Sequence, residues 1–88
     1  MDNCILHGAR MTSRDEAHAE IARALDLPPY YGGNLDALWD VVTTTDANLV
    51  LISPAAMLNA LGVYGCKLLQ TLFEAAAENP GFHFQVQD

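Results

Sequence analysis

The chain has 88 residues, of which 51% are hydrophobic, and it carries eleven acidic against four basic side chains, a formal net charge of −7. This length predicts one domain, residues 1–88, with enough apolar content for a core without staples. An acidic surface repels phosphate backbones and anionic membranes, which excludes direct binding to either and favours a basic partner. Acidity also keeps proteins soluble, so charge alone leaves both readings open.

The first half of the chain predicts a strand and two helices. Residues 4–6 are a short apolar strand, and a capping box over residues 13–16 opens a helix that Pro28–Pro29 ends. Residues 30–33 form a loop, and Asn34 is a strong cap for the second helix. The buried stripe of this second helix consists of Leu35, Leu38 and Val42.

The second half predicts strand, helix, helix and strand. Residues 49–52 are a continuous apolar run, typical of a strand covered on both faces. A serine cap and a first-turn proline (residues 53–54) open a third helix that Gly62 ends, and a fourth helix spans residues 64–78. Apolar and polar residues then alternate over 82–87 as in a half-exposed strand. The order β-α-α-β-α-α-β predicts an α/β domain with a three-stranded parallel sheet and packed helices. The apolar face of the fourth helix consists of Leu68, Leu69, Leu72 and Phe73.

The two cysteines, Cys4 and Cys66, form no CxxC pair, so we expect reduced, buried thiols rather than a disulfide or a zinc site. The first six residues are acidic and then apolar, the wrong order for a signal peptide, and no apolar run approaches the roughly 20 residues that span a bilayer. We therefore expect a soluble, cytoplasmic protein.

Catalytic and phosphate-binding motifs are poorly supported. His7, His18 and His83 have no partner at catalytic or metal-binding spacing, which favours structural or solvent-exposed roles. Gly32–Gly33 precedes a helix, but no Walker lysine follows and the spacing is not that of a dinucleotide loop. The sequence thus predicts no catalytic residues.

Two carboxylates of the second helix, Asp36 and Asp40, lie four positions apart and share one face. Glycosidase carboxylates usually come from separate elements around a cleft, for which this chain is short. Like charges at this spacing cost a helix about 0.2–0.5 kcal/mol. The helix N-terminus stabilises Asp36, whereas Asp40 lies beyond the first turn. The pair is either a solvated face or a site for a cation on another molecule.

Aromatic residues surround these acids and favour the second reading. Tyr30, Tyr31 and Trp39 lie within ten residues of the pair, and no basic residue occurs between Arg23 and Lys67. Aromatic side chains beside charge on a capped helix are typical of protein–protein hot spots. Trp39 lies between the buried stripe and the acidic face, so it belongs to the core or to the rim.

Residues 27–40, LPPYYGGNLDALWD, resemble the signature of the barstar family of intracellular inhibitors of secreted, barnase-type ribonucleases. The resemblance implies the fold predicted above and a protein that uses no cofactor or metal. It also implies a basic nuclease as the partner, with the protein a monomer until that partner binds. It implies that Asp40 occupies the phosphate-binding position of the nuclease and that Asp36 is a second acidic contact. The remaining contacts that it implies are Tyr30, Gly32, Asn34, Leu35, Trp39, Thr43 and, from the fourth helix, Glu74.

The chain departs from the family prototype near this surface. Gly33 replaces an acid, Thr45 replaces a tryptophan, and Val41 and approximately Phe82 occupy the prototype's cysteine positions. Loss of an acid and an aromatic near the rim would weaken binding or shift it to a different nuclease. The alternative is therefore a barstar-like immunity module for a different basic toxin or partner.

Overall fold

The computed structural model describes residues 3–88; Met1 and Asp2, on which part of the signal-peptide argument rests, lie outside the described residues. Seven elements follow in the predicted order β-α-α-β-α-α-β, with a 3-10 turn at Gly8–Arg10 after the first strand. The predicted α/β fold with a three-stranded parallel sheet is confirmed. The elements are β1 Asn3–His7, α1 Arg14–Leu25, α2 Leu35–Val42, β2 Ala47–Ile52, α3 Pro54–Leu61, α4 Val63–Glu78 and β3 Phe82–Gln87.

The sheet has the strand order β1-β2-β3, and both pairs are parallel. Both crossovers move the chain in the same direction across the sheet, so right-handed connections place the helices on one face. Leu6, Leu49 and Phe82 form the covered face and belong to the hydrophobic core. On the opposite face Val50 is buried, whereas His83 and Gln85 of β3 are exposed. The continuous apolar run of β2 thus corresponds to burial on both faces of the strand, with Leu49 and Leu51 on the side of the helices and Val50 on the other.

The helices contribute apolar stripes to one core. Phe73 departs from its predicted place in the stripe of α4, because it is 48% exposed and packs edge-to-face against Phe84 with ring centroids 4.8 Å apart. Both cysteines are free thiols as predicted, but Cys4 is only partly buried and Cys66 is exposed. The helical core residues are Ala17 and Ile21 of α1, Leu38 and Val42 of α2, Met57 of α3, and Leu68, Leu72 and Ala75 of α4.

Two helix ends differ from prediction. α1 begins as expected, since Ser13 Oγ accepts a hydrogen bond from the amide of Glu16 at 3.1 Å. It ends at Asp26, which has a φ of 53° and closes a Schellman-type turn two residues before the prolines. Ser53 was predicted to cap α3, but it also adopts the left-handed conformation and makes no side-chain cap bond. Pro54 alone therefore marks the start of α3.

α1 covers the outer edge of β1 through a buried acid. Glu20 is 6% exposed and accepts a hydrogen bond from the amide of His7 at 2.8 Å. Arg23 donates twice to the Glu20 carboxylate, at 2.7 and 2.9 Å, and once to the carbonyl oxygen of Ile5 at 2.9 Å. Hydrogen bonding to Arg23 holds the pKa of Glu20 below its ordinary value, despite the opposing effect of burial. This ion pair satisfies backbone groups that an edge strand would otherwise leave unpaired.

Candidate partner-binding surface

α2 is anchored to the hydrophobic core through its buried side and is capped at its N-terminus. Leu38 and Val42 are fully buried and fix one side of the helix to the core. Asn34 has an extended backbone, and its Oδ1 accepts a hydrogen bond from the amide of Ala37 at 2.7 Å. The sequence-predicted cap is thus present in the structure. A helix held in this way presents its outer side chains in a fixed register.

The outer side of α2 carries two acids that the fold leaves unengaged. Asp36 and Asp40 are both exposed. Within residues 3–88 neither carboxylate has a hydrogen bond or an ion pair. Asp36 lies in the first turn, where the helix dipole favours a negative charge, whereas Asp40 lies one turn further on. Both carboxylates keep their full capacity to accept hydrogen bonds from another molecule.

The loop before α2 separates the two neighbouring tyrosines. Tyr30 is 86% exposed, whereas Tyr31 turns inward and its hydroxyl lies 2.8 Å from Nδ1 of His18. Gly32 and Gly33 follow and are exposed. Gly33 has a φ of 66°, a conformation that side chains other than glycine rarely adopt. The loop therefore presents Tyr30 to solvent beside the start of α2.

The remaining candidates on α2 lie between the core and the surface. Leu35 and Trp39 are half-buried and pack against the core, so Trp39 lies at the boundary between the core and the exposed surface of α2. Thr43 ends the helix, and its hydroxyl donates to the carbonyl oxygen of Trp39 at 2.6 Å. Leu35 and Trp39 thus provide apolar surface next to the two acids, and the hydroxyl of Thr43 is already bonded to the backbone of α2.

Glu74 lies on a different element from the other candidates. It is an exposed residue of α4, and its carboxylate accepts a hydrogen bond from Gln70 at 3.0 Å. α4 packs against α2, so the helix that bears Glu74 lies beside the helix that bears Asp36 and Asp40. The fold thus adds a third exposed acid from a neighbouring helix.

One part of this region was missed by sequence reasoning. His18 is 4% exposed, and its two ring nitrogens lie 2.8 Å from the hydroxyl of Tyr31 and 2.6 Å from that of Tyr64. Sequence reasoning left a structural and a solvent-exposed role open for this histidine; its burial and its two contacts fit the first, and its partners were not foreseen. Tyr64 is 46 positions from His18 in sequence, so no local spacing could have indicated the contact.

Residues 3–88 contain neither a metal-binding cluster nor a membrane-spanning helix. Among these residues no group of three or more histidine, cysteine or acidic side chains has the arrangement of a metal site. No helix in the same range has the length and apolar character needed to cross a membrane.

Comparison with known proteins identifies the family. The profile of the Barstar family, described as "Barstar (barnase inhibitor)", matches residues 1–88. The chain is also similar to a Bacillus subtilis (strain 168) protein named "Putative ribonuclease inhibitor YrdF", with 35% identity over 81 residues that cover 89% of each chain. The signature at residues 27–40 thus agrees with a match over the whole length. The chain belongs to the barstar family.

Proposed function

We propose that this protein is an intracellular inhibitor of a secreted, barnase-type ribonuclease, and that α2 and its preceding loop block the active site of that nuclease. The observation that carries the proposal is the pair of exposed carboxylates, Asp36 and Asp40, on a capped and core-anchored helix; neither has a bonding partner in the described part of the chain, residues 3–88. Membership of a family described as barnase inhibitors supplies the class of partner.

The chemistry of the partner explains why acids serve this role. A ribonuclease holds a polyanionic substrate, so its active site is lined with positive charge. A carboxylate on a rigid helix occupies a phosphate position while offering no bond to cleave. Asp40 takes this central position, Asp36 gives a second acidic contact, and Glu74 approaches a nuclease arginine from α4.

The neighbouring residues complete the surface. Tyr30 and Trp39 give aromatic contact area beside the acids, and aromatic residues are enriched at the energetic centres of interfaces. Gly32, Asn34, Leu35 and Thr43 shape the loop and the two ends of α2. The protein acts by occupying the active site, so it is not an enzyme and uses no cofactor or metal. It is a monomer in the cytoplasm until the nuclease binds.

Opposite charges also accelerate association. The net charge of −7 and the absence of basic residues between Arg23 and Lys67 give the surface around α2 a negative field. Such a field raises the association rate with a basic protein, and added salt screens it. Rapid capture suits an inhibitor of an enzyme that would degrade the RNA of the host.

Titration of a barnase-type ribonuclease with this protein tests the proposal. RNA cleavage should fall to zero near a one-to-one ratio, and the association rate measured by stopped flow should drop steeply between low and high salt. Inhibition that appears only far above stoichiometry, or a rate that is flat with salt, would contradict the mechanism. The Glu16→Gln variant is a matched charge control, because Glu16 is exposed on α1 and glutamine also suits its place in the capping box.

A second candidate partner follows from the loop. Gly33, with its φ of 66°, stands where the family prototype has an acid, and Thr45 stands where it has a tryptophan. These two differences favour a barstar-like immunity module directed at a different basic toxin. A protein that leaves barnase-type cleavage intact at micromolar excess, yet captures another basic nuclease through Asp40, would establish this alternative.

A further inference from the structure

The interior side of the partner-binding loop is held by three side chains, which we call the tyrosine clamp: His18, Tyr31 and Tyr64. His18 comes from α1, Tyr31 from the loop and Tyr64 from α4. The imidazole lies between the two phenols, with contacts of 2.8 Å from Nδ1 to Tyr31 and 2.6 Å from Nε2 to Tyr64. The clamp therefore joins the loop both to α1, the helix that precedes it, and to α4, which is distant from it in sequence.

The hydrogen-bonding capacity of the clamp is matched. A neutral imidazole has one donor and one acceptor nitrogen, so one phenol donates to the ring and the other accepts from it. Burial lowers the pKa of His18, although the nearby Asp15 opposes this effect, and burial raises the pKa of Tyr31 and of Tyr64. All three groups are thus neutral near pH 7, and both ring nitrogens are used.

Both tyrosines of the clamp have a further contact that holds them in place. The guanidinium carbon of Arg14, at the start of α1, lies 4.4 Å from the centre of the Tyr64 ring. This cation–π contact holds the ring that reaches His18. Tyr31 is fixed at its backbone too, because its amide donates to the carbonyl oxygen of Pro28 at 3.0 Å.

We propose that the tyrosine clamp positions residues 30–33, and so presents Tyr30 and the start of α2 to the ribonuclease without contacting the ribonuclease itself. The proposal rests on the proposed function for its partner. It assigns separate roles to the tyrosine pair: Tyr31 anchors the loop and Tyr30 contacts the nuclease. A loop ordered before binding loses less conformational entropy in the complex, so the clamp contributes affinity by preorganisation.

The consequence is that residues outside the interface control affinity. Tyr64→Phe removes only the hydroxyl and keeps the ring that Arg14 contacts. It leaves Nε2 of His18 without its partner, and we expect a loss of affinity of about three- to tenfold, from the usual worth of one hydrogen bond. His18→Leu breaks both contacts and should weaken binding further. His18→Gln keeps one donor and one acceptor and should restore part of the lost affinity.

Hydrogen exchange of the unbound protein tests the clamp separately from binding. The amide of Tyr31 is the probe, because its bond to Pro28 opens when the loop does. Tyr64→Phe should accelerate exchange at Tyr31 severalfold while the amides of the central strand β2 exchange as before. Tyr30→Phe is the matched control, since it removes a phenol hydroxyl from a side chain that is 86% exposed, and exchange at Tyr31 should not change.

Each outcome decides the proposal. Faster exchange at Tyr31 together with weaker binding, and partial recovery in His18→Gln, would support it. Unchanged exchange at Tyr31 in both Tyr64→Phe and His18→Leu would overturn it, as would equal acceleration throughout β2, which would indicate a general loss of stability. A wild-type protein that inhibits no ribonuclease would overturn the proposed function alone, since the exchange result still decides whether the clamp holds the loop.

Discussion

Glu20 of α1 and Asp40 of α2 are both helical carboxylates, but their surroundings are opposite. Glu20 is buried and is bonded to Arg23 and to the amide of His7, with Arg10 3.9 Å away. Asp40 is exposed and, within residues 3–88, is bonded to nothing through its side chain. The difference indicates that the first acid serves folding, while the second is available for recognition.

The basic residues explain how this separation arises. The chain has four, and Arg10 and Arg23 lie at Glu20 while Arg14 lies against Tyr64. Three of the four are thus engaged on α1 or beside it, and Lys67 lies on α4. Within residues 3–88 no basic side chain forms an ion pair with an acid of α2, so both of its carboxylates stay open to solvent.

The largest expected effect is on binding, in the variant Asp40→Asn. We expect the dissociation constant for a barnase-type ribonuclease to rise at least about 30-fold, since losing one partner of a buried charge contact typically costs about 2–5 kcal/mol, a range drawn partly from the barnase–barstar complex itself. The free energy of unfolding should stay within about 0.5 kcal/mol or increase, because the side chain of Asp40 has no bonding partner among residues 3–88. Calorimetric titration and urea unfolding measure the two quantities. A loss of stability above about 1 kcal/mol would place Asp40 with the folding acids.

Glu20→Gln should show the reverse pattern. The neutral side chain loses the charge-assisted bonds to Arg23, and we expect the free energy of unfolding, measured in urea, to fall by about 2 kcal/mol. Binding by the folded protein should be unchanged, since Glu20 lies on α1 at the β1 edge. A clear loss of affinity at full folding would show that the two acids are not separate in function.

The acid limb of stability gives a second view of Glu20. Its pKa is lower in the folded protein, mainly through the hydrogen bond to Arg23, so its contribution is present above the ordinary value of 4.5 and is lost as the pH falls through the folded value. The midpoint of thermal unfolding should therefore fall more steeply between pH 6 and pH 2 in the wild type than in Glu20→Gln. Parallel curves would show that this ion pair contributes little.

The cap of α2 should have an intermediate effect. Asn34→Ala removes the acceptor for the amide of Ala37 and should lower stability by about 1 kcal/mol. Asn34→Asp keeps a cap acceptor and is the matched control. Urea unfolding of both variants measures the difference, and equal stability of the alanine and aspartate variants would mean that the cap does not hold α2.

The smallest effect is expected from Asp36→Asn. Asp36 lies in the first turn, so loss of its charge should lower stability by a few tenths of a kcal/mol, the lower end of helix-dipole effects at exposed positions. The comparison with Asp40→Asn is informative because only the position on the helix differs. If both variants changed stability in the same direction and amount, the helix dipole would not distinguish them.

Much of the fold followed from local patterns. Asn34 and Ser13 cap α2 and α1 as their sequence context predicts, and the order of elements identified the parallel sheet. The ends of α1 and α3 were less predictable, because Asp26 and Ser53 adopt left-handed conformations that glycine usually supplies. The exposure of Cys66 was also missed, since composition says that cysteine is usually buried but not which helix face it occupies.

The candidate surface could also be predicted in part, because some of its features are local in sequence. The spacing of Asp36 and Asp40, and the absence of nearby bases, are local features of sequence. The bonding of Glu20 to the β1 edge and of His18 to Tyr64 depends on contacts between residues that are 13 and 46 positions apart. Such contacts exist only once the helices have packed, so they were not available from spacing or composition.

Nuclear magnetic resonance of the isotope-labelled protein, titrated with a barnase-type ribonuclease, tests most directly whether α2 is the binding surface. Chemical shift changes should be largest at residues 30–43 and around Glu74, with little change at Glu20 or on the open sheet face at Gln85. Changes centred on α1 or on that open face would contradict the account.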